Sequence, residues 1–269
     1  MKAVRVAIAG ASGRMGRALL EAATSTGGIK LVAAIDVAGS PCAGRDAAEL
    51  CAAAQGLLVE TDPAAALRSA DVLIDFTRPE GTLAHVAACR KAKRAMVIGT
   101  TGFAPAGMEE IRKAARDIAI MMAPNMSVGV NVMLDLVAKA AELLGGDYDA
   151  EVFEIHHRMK VDAPSGTALK LGEVVAKARG AKLDKDGVFE RHGNTGERKS
   201  GSIGFSVARG GDIVGDHTVY FAGTGERLEI THRSGSRATY AQGALRAAKF
   251  VAGKPPGLYD MADVLGLKK

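Results

Sequence analysis

The sequence predicts an α/β protein. A doubly wound parallel sheet forms the amino-terminal part, and a central α+β region follows it. Three observations lead there. Short apolar runs alternate with helix-like stretches over the first half of the chain. A glycine-rich turn joins the first apolar run to the first helix-like stretch. Near residue 127 the pattern changes, and from residue 203 onward strand-like segments follow one another directly. Strand–helix alternation gives parallel sheets covered on both faces, whereas consecutive strands give antiparallel ones.

Val4–Ala9, Leu31–Asp36, Val72–Phe76, Met96–Gly99 and Ile118–Met122 are apolar runs of strand length, as expected of strands buried on both faces. Arg14–Thr24, Pro79–Lys91 and Pro105–Arg116 read as the intervening helices, with Pro79 and Pro105 suited to a first turn. In the central region Val128–Leu144 reads as one helix ended by Gly145-Gly146. Ala150–Ile155 reads as a strand and Ser165–Ala178 as a helix. Ile203–Arg209, Thr218–Ala222 and Arg227–Thr231 are expected to form antiparallel strands. The charged, glycine-rich stretch 182–201 is expected to be a mobile loop. Tyr240–Val251 reads as a last helix.

The chain has 269 residues, 48% hydrophobic and 24% charged, an ordinary balance for a soluble globular protein. It lacks an apolar run long enough to span a membrane. Val4–Ala9 is too short for a signal-peptide core. Three cysteines, Cys42, Cys51 and Cys89, without metal-ligand spacing read as free thiols of a reducing compartment, so a cytoplasmic protein is expected. The net charge of +5 comes without a dense basic block, with no tryptophan and only 4% aromatics. That argues against nucleic acid and suits small anionic ligands.

Gly10-Ala11-Ser12-Gly13-Arg14-Met15-Gly16 lies between a predicted strand and a predicted helix. Glycine there lets backbone N–H groups approach a pyrophosphate at a helix start. Asp36 closes the second strand, where a carboxylate can bond the adenosine ribose hydroxyls. Gly99-Thr100-Thr101 and Ala123-Pro124-Asn125-Met126 follow later strands and fall at the same sheet edge. Asn125 is either a turn residue or an amide offered to a ligand. The cofactor-binding candidates are therefore Gly10, Ala11, Ser12, Gly13, Arg14, Met15, Asp36, Gly99, Thr100, Thr101, Ala123, Pro124, Asn125 and Met126.

The segment Glu154-Ile155-His156-His157-Arg158-Met159-Lys160-Val161-Asp162-Ala163-Pro164-Ser165-Gly166-Thr167 is the second chemical feature. If the strand runs on through His156, then His156, Arg158 and Lys160 share one face and His157 takes the other. A protonated His or Lys can deliver the proton that accompanies hydride transfer to a conjugated ring. Ser165 is a good N-cap, and the Gly166 and Thr167 amides suit a carboxylate. His85, His192, His217 and His232 are scattered, and no carboxylate spacing supports a zinc site with them. A nucleotide grip and a cationic proton-transfer segment together indicate a reductase with an acidic substrate.

In these motifs the chain resembles the bacterial dihydrodipicolinate reductases (4-hydroxy-tetrahydrodipicolinate reductases). The likeness also covers Asp75-Phe76-Thr77, Ser127-Val128-Gly129-Val130-Asn131, Gly211–His217 and Glu226–His232, and so nearly the whole chain. It implies a Rossmann-like nucleotide-binding domain over 1–127 and 239–269, and a substrate-binding and oligomerisation domain over 128–238. It implies a homotetramer, a small dicarboxylate cyclic imine as substrate, and NADH or NADPH as cofactor. His156 would take the acid/base role and Lys160 the proton-donor role; His157, Ser165, Gly166 and Thr167 would hold the substrate. Met126 stands where many relatives have phenylalanine. Val37 stands where some have arginine, so NADH is expected to be preferred. A different dehydrogenase on the same frame would share the glycine loop but leave His156–Thr167 without a purpose. A non-catalytic dinucleotide sensor would have no need of Lys160.

Overall fold

The computed structural model describes residues 2–268. It divides into two compact units, Met1–Val128 with Arg237–Lys269, and Gly129–Ser236.

The first unit contains β1 (Val4–Ala9), α1 (Arg14–Ser25), β2 (Ile29–Ile35), β3 (Val59–Glu60), α2 (Pro63–Leu67), β4 (Val72–Asp75), α3 (Pro79–Ala92), β5 (Ala95–Ile98), α4 (Pro105–Ala114) and β6 (Ala119–Met122). Their seven-stranded parallel sheet runs β12-β6-β5-β4-β1-β2-β3, with β12 (Gly257–Tyr259) supplied by the end of the chain. Alternate residues of one strand feed two different cores. Val6 and Ile8 join α1 and the late helix, while Ala7 and Ala9 join α2, α3 and α4. Burial on both faces is what turned these strands into nearly unbroken apolar runs. The chain leaves β1 in one direction, through β2 and β3, and then crosses to β4 on the other side. The order therefore reverses between β1 and β4. At such a switch point the loops at the carboxyl ends part and leave a crevice for a ligand.

The second unit takes α5 (Val128–Leu144) from Gly129 onward, then β7 (Asp149–His156), α6 (Gly166–Ala178), α7 (Leu183–Asp186), β8 (Gly187–Val188), β9 (Ile203–Arg209), β10 (Gly215–Ala222) and β11 (Arg227–Ser234). Its sheet runs β11-β10-β7-β9-β8. Met133 and Val137 of α5 and Leu171 and Val175 of α6 pack on Val152, Phe205, Val219 and Phe221. The sheet is mixed, which corrects the antiparallel expectation. β10 is antiparallel to β7 and β11, but β9 is parallel to β7. The reason is α6, an apolar helix between β7 and β9 that makes their connection a crossover.

The stretch 182–201 also departs from expectation, being docked along much of its length. The Arg191 guanidinium donates to both Glu151 oxygens at 2.7 and 2.8 Å. Arg198 donates to Asp149 at 2.6 Å and to the Ala150 and Ser202 carbonyls. Phe189 stacks on Phe205 with centroids 4.8 Å apart. Arg191 and Arg198 are anchors to acids on β7, a pairing that composition alone does not reveal.

The first unit is completed by α8 (Ala238–Val251), β12 and α9 (Met261–Leu265). The apolar side of α8, Ala241, Ala244, Leu245 and Ala248, belongs to the same core as Ile8 and Val72. Gly243 is needed there, because a Cβ would collide with the Met126 carbonyl. β3 and β12 escaped the sequence reading because two or three residues carry no periodicity.

Candidate active site

In the first unit the candidate residues gather along the carboxyl edge of the sheet. Gly10 has φ +69°, a conformation that L side chains rarely adopt, and the Gly13 amide donates to its carbonyl at 3.0 Å. A Cβ on Gly16 would run into the Gly10 carbonyl oxygen, so α1 can start this close to β1 only with glycine. No side chain caps α1 and no acid lies in its first turn. A helix start of that kind favours an anion. Arg14, its first residue, is exposed.

Asp36 lies just past β2. Its carboxylate accepts from the Ser12 amide at 2.8 Å and the Val37 amide at 2.8 Å. Burial works to raise its pKa, but the Ser12 contact, the Val37 amide and the Cys42 thiol hold it below the ordinary value. It is therefore a fixed, ionised acceptor beside the glycine loop.

Asp75, at the end of β4, is fully buried. It accepts from the Thr77 amide and hydroxyl, both at 2.7 Å, and from Thr82 Oγ1 at 3.1 Å, and meets His85 Nδ1 at 2.6 Å. Burial pushes its pKa up, and the His85 and Thr77 bonds bring it below the ordinary range. The Thr82 and Thr100 hydroxyls are hydrogen-bonded at 2.8 Å, which ties the segments after β4 and β5 together. A Cβ on Gly99 would strike the Phe76 ring, and one on Gly10 would lie 2.9 Å from Thr77 Cγ2. Ala123 and Met126 are buried, whereas Thr101 and Pro124 are exposed. Asn125 Oδ1 accepts from the Ser127 amide at 2.9 Å, so the turn role is realised.

These residues fit a dinucleotide. Backbone too close for any Cβ, an uncapped helix start and an ionised strand-end acid occupy one sheet edge.

In the second unit β7 shows strict alternation, with Ala150, Val152, Glu154 and His156 on its buried face. The first two are core; the last two are buried titratable groups. β7 ends at His156, and Arg158 and Met159 lie in a turn closed by the Lys160 amide on the His157 carbonyl at 3.1 Å. The alternation argument thus stops at His156 and does not place Arg158 or Lys160. Both are set by the turn, with Arg158 exposed and Lys160 partly buried.

The register of the sheet assembles the rest. His217 of β10 pairs opposite Glu154, and Arg209 of β9 pairs opposite His156. Glu154 Oε2 contacts His156 Nδ1 and accepts from Arg209 at 3.1 Å. Its Oε1 accepts from Arg209 at 3.0 Å and from the Ser165 amide at 3.1 Å. Burial alone would raise the Glu154 pKa, but His156 and Arg209 hold it down at about 2. The same Arg209 donates to the Asp162 carbonyl at 2.6 Å. One carboxylate with its guanidinium therefore holds the end of β7, the Lys160–Asp162 turn and the start of α6.

Ser165 caps α6, its Oγ accepting from the Ala168 amide at 3.2 Å and lying 3.1 Å from His217 Nε2. The His217 ring packs edge-on to His156 at 5.0 Å. Burial, then the His156 charge, lowers the His217 pKa to about 4, so it is neutral at pH 7. Its Nδ1 is buried without a hydrogen-bond partner. Space is open where a Gly166 side chain would be. Lys160 Nζ lies 2.8 Å from both Asp162 oxygens, and Asp162 is more than half exposed. A carboxylate that open to water is readily exchanged for another anion.

Glu154, His156 and His217 bring three potential metal-ligand atoms within 4.8 Å of one another. The Glu154 oxygens already take two guanidinium bonds and an amide, a donor set committed to hydrogen bonding. Sequence reading missed Arg209, His217 and the role of Glu154. One signal was available: an acid at even spacing from Val152 and His156, on the apolar side of a strand.

Two family models match nearly the whole chain. Dihydrodipicolinate reductase, N-terminus, covers residues 4–126, and dihydrodipicolinate reductase, C-terminus, covers residues 129–265. The 4-hydroxy-tetrahydrodipicolinate reductase of Nitrosospira multiformis is 58% identical over 269 residues, all of both chains. That of Bordetella pertussis is 60% identical over 263 residues, covering 98% of this chain and 97% of its own. Among solved structures, a dipicolinate-bound dihydrodipicolinate reductase from Paenisporosarcina sp. TG-14 has a TM-score of 0.77 at 24% identity, covering 97% of this chain and 98% of its own, and shows the same fold. With both halves matched in order and relatives this similar along their full length, the chain belongs to the dihydrodipicolinate reductase family.

Proposed function

We propose that the chain reduces 4-hydroxy-tetrahydrodipicolinate to tetrahydrodipicolinate with NADH or NADPH, in the diaminopimelate route to lysine. The ring hydroxyl leaves with one ring hydrogen as water, and a hydride and a proton enter the ring. The observation that carries this reading for the residues is the Glu154–His156–Arg209 cluster at the head of the Lys160 turn and the α6 start.

The bound nicotinamide supplies the hydride. The Gly10–Met15 backbone holds the pyrophosphate, Asp36 the adenosine ribose, and Gly99–Thr101 with Ala123–Met126 the nicotinamide half. Gly166 and Thr167 amides at the start of α6, the Ser165 cap and His157 hold the substrate carboxylates. His156 is the acid/base and Lys160 the proton donor. Lys160 exchanges the Asp162 carboxylate for the substrate, a step made easy by the exposure of Asp162. NADH is preferred because Asp36 is ionised and Val37, 71% exposed, offers no cation beside it. The protein is a cytoplasmic homotetramer in this reading. No helix among the described residues is long and apolar enough to cross a membrane. The face of the second sheet opposite α5 and α6 carries Phe153 and Ile155, both only partly buried, and suits association.

The test is loss of nicotinamide absorbance when freshly generated substrate is added, together with competitive inhibition by pyridine-2,6-dicarboxylate. Turnover without inhibition, or inhibition unchanged in both His157→Ala and Thr167→Val, would place the carboxylate site elsewhere.

A further inference from the structure

We infer that Glu154 and Arg209 are positioning residues that set the tautomer of His156 and let it change protonation state. The inference rests on the acid/base reading of His156 and adds two residues to it.

Glu154 is buried on the inner face of β7, two residues before His156. Ionised, it can only accept. Its contact with His156 therefore puts a proton on Nδ1 and leaves Nε2 as the working nitrogen. Gly215 leaves room for the ring there, since a Cβ would lie 2.7 Å from Nε2.

A carboxylate and an imidazole alone would make a poor acid/base couple. Each loss of the imidazole proton would leave a buried, uncompensated anion, which is costly. Arg209 removes that difficulty. Its two donors, at 3.0 and 3.1 Å, and the Ser165 amide at 3.1 Å satisfy Glu154 whether or not His156 is charged. A guanidinium keeps its proton at any relevant pH. Other groups around His156 do not alter this balance. His217, edge-on at 5.0 Å, is held neutral, and Lys160 is paired with Asp162. The side chain of Arg158, in the turn beyond His157, is exposed.

The two substitutions should therefore act in opposite directions. Glu154→Gln removes the anion, so His156 gives up its proton more readily, and the high-pH fall in kcat moves to lower pH. Arg209→Gln removes the cation, and the same fall moves to higher pH. Arg209→Lys keeps the charge and should leave the profile near wild type. Each Gln variant should lower kcat by ~10- to 100-fold with a smaller change in KM, the scale of a lost orienting contact to a proton-transfer group. Imidazole nitrogen spectra of the wild type should show His156 protonated at Nδ1 when neutral, and Glu154→Gln should mix the tautomers.

His156→Ala is the control. Near-normal turnover in His156→Ala would overturn the site reading itself. A large loss in His156→Ala beside unmoved pH profiles in both Gln variants would overturn only the positioning inference. Should either Gln variant fail to fold, the wild-type spectra decide. An Nε2–H tautomer for neutral His156 overturns the inference, and an Nδ1–H tautomer supports it.

Discussion

Among the described residues each unit buries one carboxylate at the end of a central strand, and each of these meets a histidine. Asp75 follows the core of β4 and contacts His85; Glu154 follows the core of β7 and contacts His156. They differ in what else surrounds them. Asp75 is met by the Thr77, Thr82 and Thr100 hydroxyls and an amide, and the only side-chain cation among its contacts is His85, when protonated. Glu154 has a guanidinium in addition to its histidine. The first arrangement ties together the segments after β4 and β5, and a change of charge on His85 works against it. The second tolerates a change of charge on His156, because Arg209 stays. Similar motifs thus yield a structural tie in one unit and, in the proposed reading, an acid/base group in the other.

The largest effect that would break this comparison is on turnover. Lys160→Ala and His156→Ala should fold, bind cofactor and lose ~100- to 10,000-fold in kcat, the usual range for a removed proton-transfer group. Steady-state rates with fluorescence titration of the cofactor check this. Near-normal turnover in folded Lys160→Ala would remove Lys160 from the chemistry, and weaker cofactor binding at an unchanged rate in His156→Ala would move that residue to the cofactor side.

The matched substitution in the first unit should show up in stability. His85→Ala leaves the buried Asp75 carboxylate with hydroxyls and an amide only, and removing one hydrogen-bond partner of a buried charged group costs about 3 kcal/mol or more. The measurement is the denaturant midpoint of His85→Ala beside wild type, with kcat taken on the folded protein. Unchanged stability with lost turnover would make His85 the catalytic histidine and reverse the comparison.

A smaller effect separates the two units by pH. His217 is held at about 4 against an ordinary 6.5. Between those values the unfolded chain binds the proton and the folded one does not. Stability from this group is therefore complete above about 6.5 and lost as pH falls toward 4, on the order of 3 kcal/mol in all. Asp75 and Glu154, both depressed, lose their contribution only below the ordinary carboxylate values, Glu154 progressively from 4.5 down to about 2. His217→Gln should flatten the slope of stability between pH 4 and 6.5. A slope that stays as steep would assign it to His232, whose pKa burial also lowers.

The same contrast explains how much could be read from the sequence. The parallel sheet and the glycine loop were legible because their causes are local: apolar runs, first-turn prolines, and glycines where α1 meets β1. His156, Lys160, Ser165 and Gly166 were legible because one short segment holds them. Glu154 lay in plain view without a role, since its partner Arg209 is 55 residues away and reaches it only through the parallel pairing of β7 with β9. That pairing was itself misjudged, as a crossover through α6 leaves no mark on the strands it joins. The strap over 182–201 read as loose because Glu151, which its arginines grip, lies outside it.

The smallest expected effect concerns the choice of cofactor. The Asp36 carboxylate is fixed by the Ser12 and Val37 amides and stays ionised. It can accept from both ribose hydroxyls of NADH, whereas a 2′-phosphate would bring like charge against it. The site is only partly buried, so water and salt soften the repulsion. Val37 is 71% exposed and offers no compensating charge, while Arg14 is exposed at the start of α1. NADH should be favoured by ~10-fold in kcat/KM, roughly 1.4 kcal/mol, with NADPH still used. Val37→Arg has open solvent to reach through, and a guanidinium can grip the phosphate with two bonds, so the ratio should swing toward NADPH. Both cofactors are compared at one ionic strength, in wild type and Val37→Arg, with Arg14→Ala as the second arm. A wild-type preference for NADPH that disappears in Arg14→Ala would show that the cation on the helix start outweighs the acid on the strand end.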